Sequence, residues 1–117
     1  MKGMTQVTEA QPLSDSELMR YARQILLEGW DVDAQLRLKS ARVVMIGAGG
    51  LGCPASETLV RAGLGQIHLI DDDVIEASNL QRQTLFLPSD IGKAKALTAS
   101  QMLEKINPLI KLQQSQT

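Results

Sequence analysis

The residues best suited to chemistry fall into three groups: the glycine-rich turn Gly47-Ala48-Gly49-Gly50-Leu51-Gly52, the acid Asp71, and the cations Arg23, Arg82 and Lys95. Gly47, Gly49 and Gly52 satisfy G-x-G-x-x-G between an apolar run, Val43 to Ile46, and a helical pattern. Glycines allow a tight turn and close backbone approach. A helix opening on them presents unpaired N–H groups and a partial positive charge to an anion. Asp71 stands 24 residues after Gly47, at the end of a second apolar run, where a carboxylate can accept hydrogen bonds from ribose hydroxyls. On these residues alone, an NAD-dependent oxidoreductase leads.

The next stretch argues against a dinucleotide. A polar run, Ser78-Asn79-Leu80-Gln81-Arg82-Gln83, follows the acid where a dinucleotide fold turns back into another strand and helix. Arg82 and Lys95, with Arg23 from an earlier helix, supply three cations for a phosphate chain. A triphosphate attacked at its α-phosphorus needs that neutralisation, because charge develops on the phosphoryl oxygens and the departing pyrophosphate. Singly, a helix-face lysine or an arginine beside an apolar stripe reads as solvated surface.

Several elements must position these groups. Residues 1–12 are polar and aperiodic, and are expected to form a flexible tail. Ser14-Asp15-Ser16-Glu17 is a capping box that opens a helix with Leu18, Tyr21, Ala22 and Ile25 on its apolar face and Gly29 at its end. Asp33 is placed to cap a second helix to about Lys39, with Leu36 inward. Val43 to Ile46 reads as a buried parallel strand. The helix after the glycines carries Leu51, Ala55, Leu59 and Ala62 on one face, with Pro54 in its first turn and Gly63 as its stop. Gln66 to Asp71 is the second strand. A third helix, from Asp90 or Gly92 to Ile106, buries Ala96, Ala99, Met102, Leu103 and Ile106, and a third strand starts at Leu109 after Asn107-Pro108. This is an α/β, Rossmann-like doubly wound sheet, mainly parallel, preceded by N-terminal helices and incomplete at its C-terminal side. The expected division is a helical arm over 14–39 and a Rossmann-like unit over 42–117.

Composition narrows the alternatives. A net charge of −1 gives no electrostatic sign of nucleic acid or membrane, and three aromatic residues are too few for base-stacking platforms. The single cysteine, Cys53, excludes an intrachain disulfide and a multi-cysteine zinc site, and suits a reducing cytoplasm. No apolar run approaches the roughly 18 residues of a membrane span.

Four motifs in order carry a family resemblance: RYARQILLEG (Arg20 to Gly29), GAGGLG followed by Cys53, LIDDDVIEASNLQRQTLF (Leu69 to Phe86), and DIGKAKA with INP (Asp90 to Ala96, Ile106 to Pro108). Together they resemble the MoeB/ThiF/HesA family, bacterial relatives of the ubiquitin-activating enzymes. The resemblance implies an ATP- and Mg2+-dependent adenylyltransferase. Such an enzyme activates the C-terminal Gly-Gly of a ubiquitin-like sulfur-carrier protein in molybdopterin or thiamine biosynthesis, as a cytoplasmic homodimer. It also implies roles. Gly47, Gly49, Gly50 and Gly52 line the nucleotide, Asp71 holds the ribose, Asn79, Arg82 and Lys95 contact phosphates, and Arg23 reaches the partner subunit's ATP.

The sequence also departs from the family pattern. The acid that places Mg2+ and the C-x-x-C pairs that bind structural zinc have no counterpart in these 117 residues, so no metal ligand is assigned among them. Cys53 is read as structural. The resulting expectation is the N-terminal portion of an adenylyltransferase, inactive alone. The alternatives are a non-catalytic ATP-binding or dimerisation module and, behind it, the NAD-dependent oxidoreductase. Nothing here separates the molybdopterin branch from the thiamine branch.

Overall fold

A computed structural model describes residues 12–47 and 52–116. The tail expected over residues 1–12 lies outside that range except for Pro12, and so do Gly49, Gly50 and Leu51.

Ser14 opens the arm as its capping box requires. Its Oγ accepts from the Glu17 N–H at 3.1 Å, and Glu17 Oε1 accepts from the Ser14 N–H at 2.9 Å. The single helix expected to run toward Gly29 is instead two, α1 (Asp15–Arg20) and α2 (Ala22–Ile25). The break falls at Tyr21, whose backbone leaves helical geometry and whose ring is buried. Helix α3 (Val32–Ser40) is capped by Asp31 rather than Asp33, with Asp31 Oδ1 accepting from the Ala34 N–H at 2.8 Å. Its buried residues are Ala34 and Gln35, and Leu38 rather than Leu36 packs on the core.

Strands β1 (Arg42–Ile46), β2 (Gln66–Ile70) and β3 (Lys111–Ser115) form a parallel sheet in the order β1-β2-β3. Val44 pairs with His68 and His68 with Gln113, so every carboxyl end lies on one side. The crossovers are α4 (Gly52–Ala62) and α5 (Lys95–Ile106). Their inner faces close over Ile67 and Leu69 to form a core with Val60, Leu64, Leu85 and Leu103. The fold is Rossmann-like.

Three local expectations are corrected. Helix α4 buries Cys53, Ser56 and Val60; of the expected stripe Leu59 packs on the core, Ala55 is exposed, and Leu51 lies outside the described residues. Ser56 tolerates the interior because its hydroxyl donates to the Cys53 carbonyl at 3.0 Å, removing the cost that makes serine read as surface. Strand β3 starts at Lys111, later than Leu109, because Asn107 Oδ1 accepts from the Leu109 N–H at 3.1 Å and holds the chain in a turn. Strand β1 is covered on one face only. Val43 and Met45 pack on the core, while Val44 and Ile46 are 60% and 83% exposed among the described residues.

Candidate functional site

Ligands of parallel α/β sheets bind beyond the carboxyl ends of the strands. Gly47 leaves β1 there and donates its N–H to the Ile70 carbonyl at 2.8 Å, while Asp71 leaves β2 and donates its N–H to the Ser115 carbonyl at 3.0 Å. Since Ile46 pairs with Ile70, the glycine turn and the acid emerge side by side. Gly47 adopts φ +92°, a conformation open to glycine. The start of α4 folds back so closely that a Cβ on Gly52 would collide with the Gly47 carbonyl oxygen. Gly47 and Gly52 therefore approach too closely for a side chain on Gly52.

Asp71 is half-buried, and its Oδ1 accepts from the Asp73 N–H at 2.8 Å. The acid is thereby oriented by its own loop. Asp72 and Asp73 are exposed, and one carboxylate oxygen from each of Asp71, Asp72 and Asp73 lies within 4.8 Å of the others.

Lys95 is positioned by a pairing that no local pattern announces. The segment after Asp71 runs antiparallel to the one before α5: the Ile75 N–H donates to Lys93 O at 2.9 Å, and the Lys95 N–H to Asp73 O at 3.0 Å. As the first residue of α5, Lys95 is drawn down beside the acids and is 7% exposed. Among the described residues its ammonium meets one carboxylate, Asp73 Oδ2, at a loose 3.9 Å. A desolvated cation so weakly matched is disposed toward an anion. The bland expectation of a solvated helix-face lysine is not what the fold produces.

Cys53 lies at the start of α4, beside the glycine turn. Its thiol is fully buried at the second residue of α4, and burial raises its pKa above the ordinary value of 9.0. A backbone hydrogen bond with Leu85 and the charge of Lys95 pull the other way, and the charges of Asp71 and Glu57 add to the rise. Lys95 and Asp71 both act on one sulfur at the glycine turn. The thiol is inert packing, in keeping with its structural reading.

Asn79 and Arg82 lie in the loop that follows. Asn79 Oδ1 accepts from the Glu76 N–H at 2.9 Å, and the Asn79 carbonyl accepts from the Arg82 N–H at 3.2 Å. The amide thus shapes the turn that carries Arg82, whose exposed guanidinium makes no ion pair among the described residues. Gln83 was missed by sequence reasoning. It is 2% exposed, and its Oε1 has no hydrogen-bond partner among the described residues.

Arg23 is the residue the fold does not bring to the turn. Its neighbour Gln24 is fastened by Nε2 to the carbonyl of Ala62, the last residue of α4, at 2.5 Å. Gly52 begins that helix, so the two ends are about 15 Å apart at 1.5 Å per residue. That exceeds the reach of an arginine side chain. Arg23 is exposed on α2, and so are Met19, Leu26 and Leu27 nearby at 82%, 83% and 62%.

The ThiF family model matches residues 21–117. The chain belongs to the ThiF family. It is 50% identical over 98 residues to the molybdopterin-synthase adenylyltransferase of Salmonella typhimurium (strain LT2), covering 84% of this chain and 39% of that one. It is 46% identical over 110 residues to the adenylyltransferase and sulfurtransferase uba4 of Pyricularia oryzae, covering 94% of this chain and 22% of that one. Among solved structures, E. coli tRNA N6-threonylcarbamoyladenosine dehydratase, TcdA, in complex with ATP, superposes with a TM-score of 0.83 at 30% identity, over 90% of this chain and 42% of that one. The ThiF-family chain thus spans well under half the length of the relatives it matches. Among its described residues, no helix is long and apolar enough to cross a membrane.

Proposed function

We propose that these residues form the nucleotide floor of a cytoplasmic, homodimeric adenylyltransferase that activates the C-terminal Gly-Gly of a ubiquitin-like sulfur-carrier protein. In the reaction a carrier carboxylate oxygen bonds to the α-phosphorus of ATP, the bond from that phosphorus to the bridging oxygen breaks, and pyrophosphate leaves. The observation that carries this reading is Lys95, a buried cation with one loose partner among the described residues, tied by its backbone to the loop that follows Asp71.

ATP fits the residues present. The turn at Gly47 and Gly52 admits phosphate oxygens to the first N–H groups of α4, Asp71 accepts from ribose hydroxyls, and Lys95 and Arg82 neutralise the phosphate chain. Asn79 holds the loop that delivers Arg82. The family resemblance adds Gly49 and Gly50 to the groups that line the nucleotide. Mg2+ would accompany the triphosphate and supply further charge neutralisation. Because Asp71 is committed to the ribose and to the Asp73 N–H, no residue here is assigned to the metal. Support for the nucleotide comes from the ATP-bound structural neighbour, and support for the carrier protein from the adenylyltransferase names.

Arg23 acts on the neighbouring subunit's nucleotide. Its anchorage at the far end of α4 and the exposed Met19, Leu26 and Leu27 around it favour an arm that meets another chain. The same arm favours a second reading, a non-catalytic ATP-binding and dimerisation module. Pyrophosphate exchange separates the two: residues 1–117 alone are expected to show none with Mg2+ and a carrier protein, and the complete protein is expected to be active.

Calorimetric titration tests the nucleotide. ATP should bind and NAD should not, and Lys95→Met should weaken ATP at least about tenfold. Comparable binding of NAD, or unchanged ATP affinity in the variant, would overturn the reading.

A further inference from the structure

We infer that Tyr21, Gln24, Gln35 and Asn107 are positioning residues for Arg23, a buried polar clamp that fixes the direction in which the arginine leaves the arm. This rests on the reading of Arg23 as a ligand of the neighbouring subunit's nucleotide. Helix α2 has four residues and no side-chain cap, too little to hold a shape by itself. Its geometry must come from outside, and both residues flanking Ala22-Arg23 supply it.

On one side, Tyr21 is 2% exposed, and its hydroxyl accepts from Asn107 Nδ2 at 2.9 Å. The same Nδ2 donates to Val60 O at 2.8 Å. On the other side, Gln24 Nε2 donates to Gln35 Oε1 and to Ala62 O, each at 2.5 Å. Gln35 is fully buried; its own Nε2 donates to Ala62 O at 2.8 Å, and its Oε1 also accepts from Trp30 Nε1 at 3.0 Å. Gly63 makes room for all of this, since a Cβ there would lie 2.5 Å from Gln35 Nε2 and 2.8 Å from Tyr21 Cζ.

The backbone on either side of Arg23 is therefore tied to the C-terminal ends of α4 and α5, the helices that lead from the nucleotide turn and from Lys95. Arg23 itself is exposed and keeps only side-chain freedom. A cation that serves a site across an interface gains from such fixing, because misplacement by about an ångström costs transition-state contact.

The test is a double-mutant cycle in the complete protein, read by ATP–pyrophosphate exchange. Tyr21→Phe keeps the buried ring and removes one anchor, and Gln24→Met removes the other. Each is expected to lower exchange about five- to tenfold while the thermal unfolding profile stays cooperative, and each should change the rate less than about twofold in an Arg23→Ala background. Multiplicative losses in that background would overturn the clamp and leave the role of Arg23 standing. Parental exchange in Arg23→Ala alone would overturn the role of Arg23, and the clamp with it. Should Tyr21→Phe unfold, Gln24→Met decides by the same criterion.

Discussion

Asn107 and Tyr21 lie 86 residues apart in sequence and meet at 2.9 Å, amide nitrogen to phenol oxygen, in the interior of the molecule. The contact joins the turn after α5 to the arm, and through Val60 O it also holds α4. Asn107 is fully buried and spends its Oδ1 on the Leu109 N–H, so both ends of its amide are used.

Replacing Asn107 by Leu should therefore leave a carbonyl, an N–H and a phenol unsatisfied at once. The expected loss is about 2–4 kcal/mol, against about 1 kcal/mol for Tyr21→Phe, which leaves the bond to Val60 intact. Urea denaturation of the two variants measures both. Equal losses would mean that the amide's bonds to Val60 O and the Leu109 N–H add nothing beyond its bond to the phenol.

Gly52→Ala probes the turn directly. The added methyl would strike the Gly47 carbonyl oxygen, so either the turn opens or α4 starts later. We expect about 1–3 kcal/mol of destabilisation and at least about a tenfold weaker affinity for ATP, measured by denaturation and calorimetry. Unchanged ATP affinity would show that the phosphates lie elsewhere.

What the sequence disclosed and what it hid follow from the range of the interactions. The β1-α4-β2-α5-β3 order was legible because its punctuation is local: the glycine turn, Gly63 with φ +105°, and Asn107-Pro108 each act on their own neighbours. The Gly47–Asp71 adjacency followed from that order. Lys95 was legible as a cation but not as a buried one, because its burial comes from the pairing of Ile75 with Lys93. Gln24 and Gln35 read as polar surface. Their shared partner, Ala62 O, is 38 and 27 residues away, and no periodicity encodes such a bond. Ser56 misled the face of α4 for a related reason, since its hydroxyl is satisfied by its own helix.

Glu17 gives the arm a pH dependence. Its carboxylate accepts from Lys39 Nζ at 2.8 Å and from the Ser14 N–H. Partial burial raises its pKa, but the Lys39 and Ser14 hydrogen bonds and the Lys39 charge outweigh it, so the folded value lies below the ordinary 4.5. The native state then binds fewer protons than the unfolded chain in that range. The contribution is fully present above about 4.5 and drains away as pH falls through the folded value. Its size is on the order of 1 kcal/mol, since the pair is not fully removed from solvent. Glu17→Gln should lower stability at pH 7 by that amount and converge with the parent at an acid pH where the carboxylate is protonated. A constant gap between the two denaturation series at both pH values would mean that the carboxylate charge contributes nothing.

The in-trans role of Arg23 is tested by subunit mixing. Arg23→Ala and Arg82→Ala are each expected to keep only a small residual exchange activity in the complete protein, one lacking the cation it lends and the other the cation it keeps. In a heterodimer, the site in the Arg23→Ala subunit has its own Arg82 and receives an intact Arg23 from the partner, and the other site lacks both. Random reassociation of equal amounts makes half the dimers mixed, with one working site each, so about a quarter of parental exchange activity returns. If Arg23 serves its own subunit, every site lacks one arginine and nothing returns. The anchorage of Gln24 to Ala62, at the opposite end of α4 from Gly52, favours recovery.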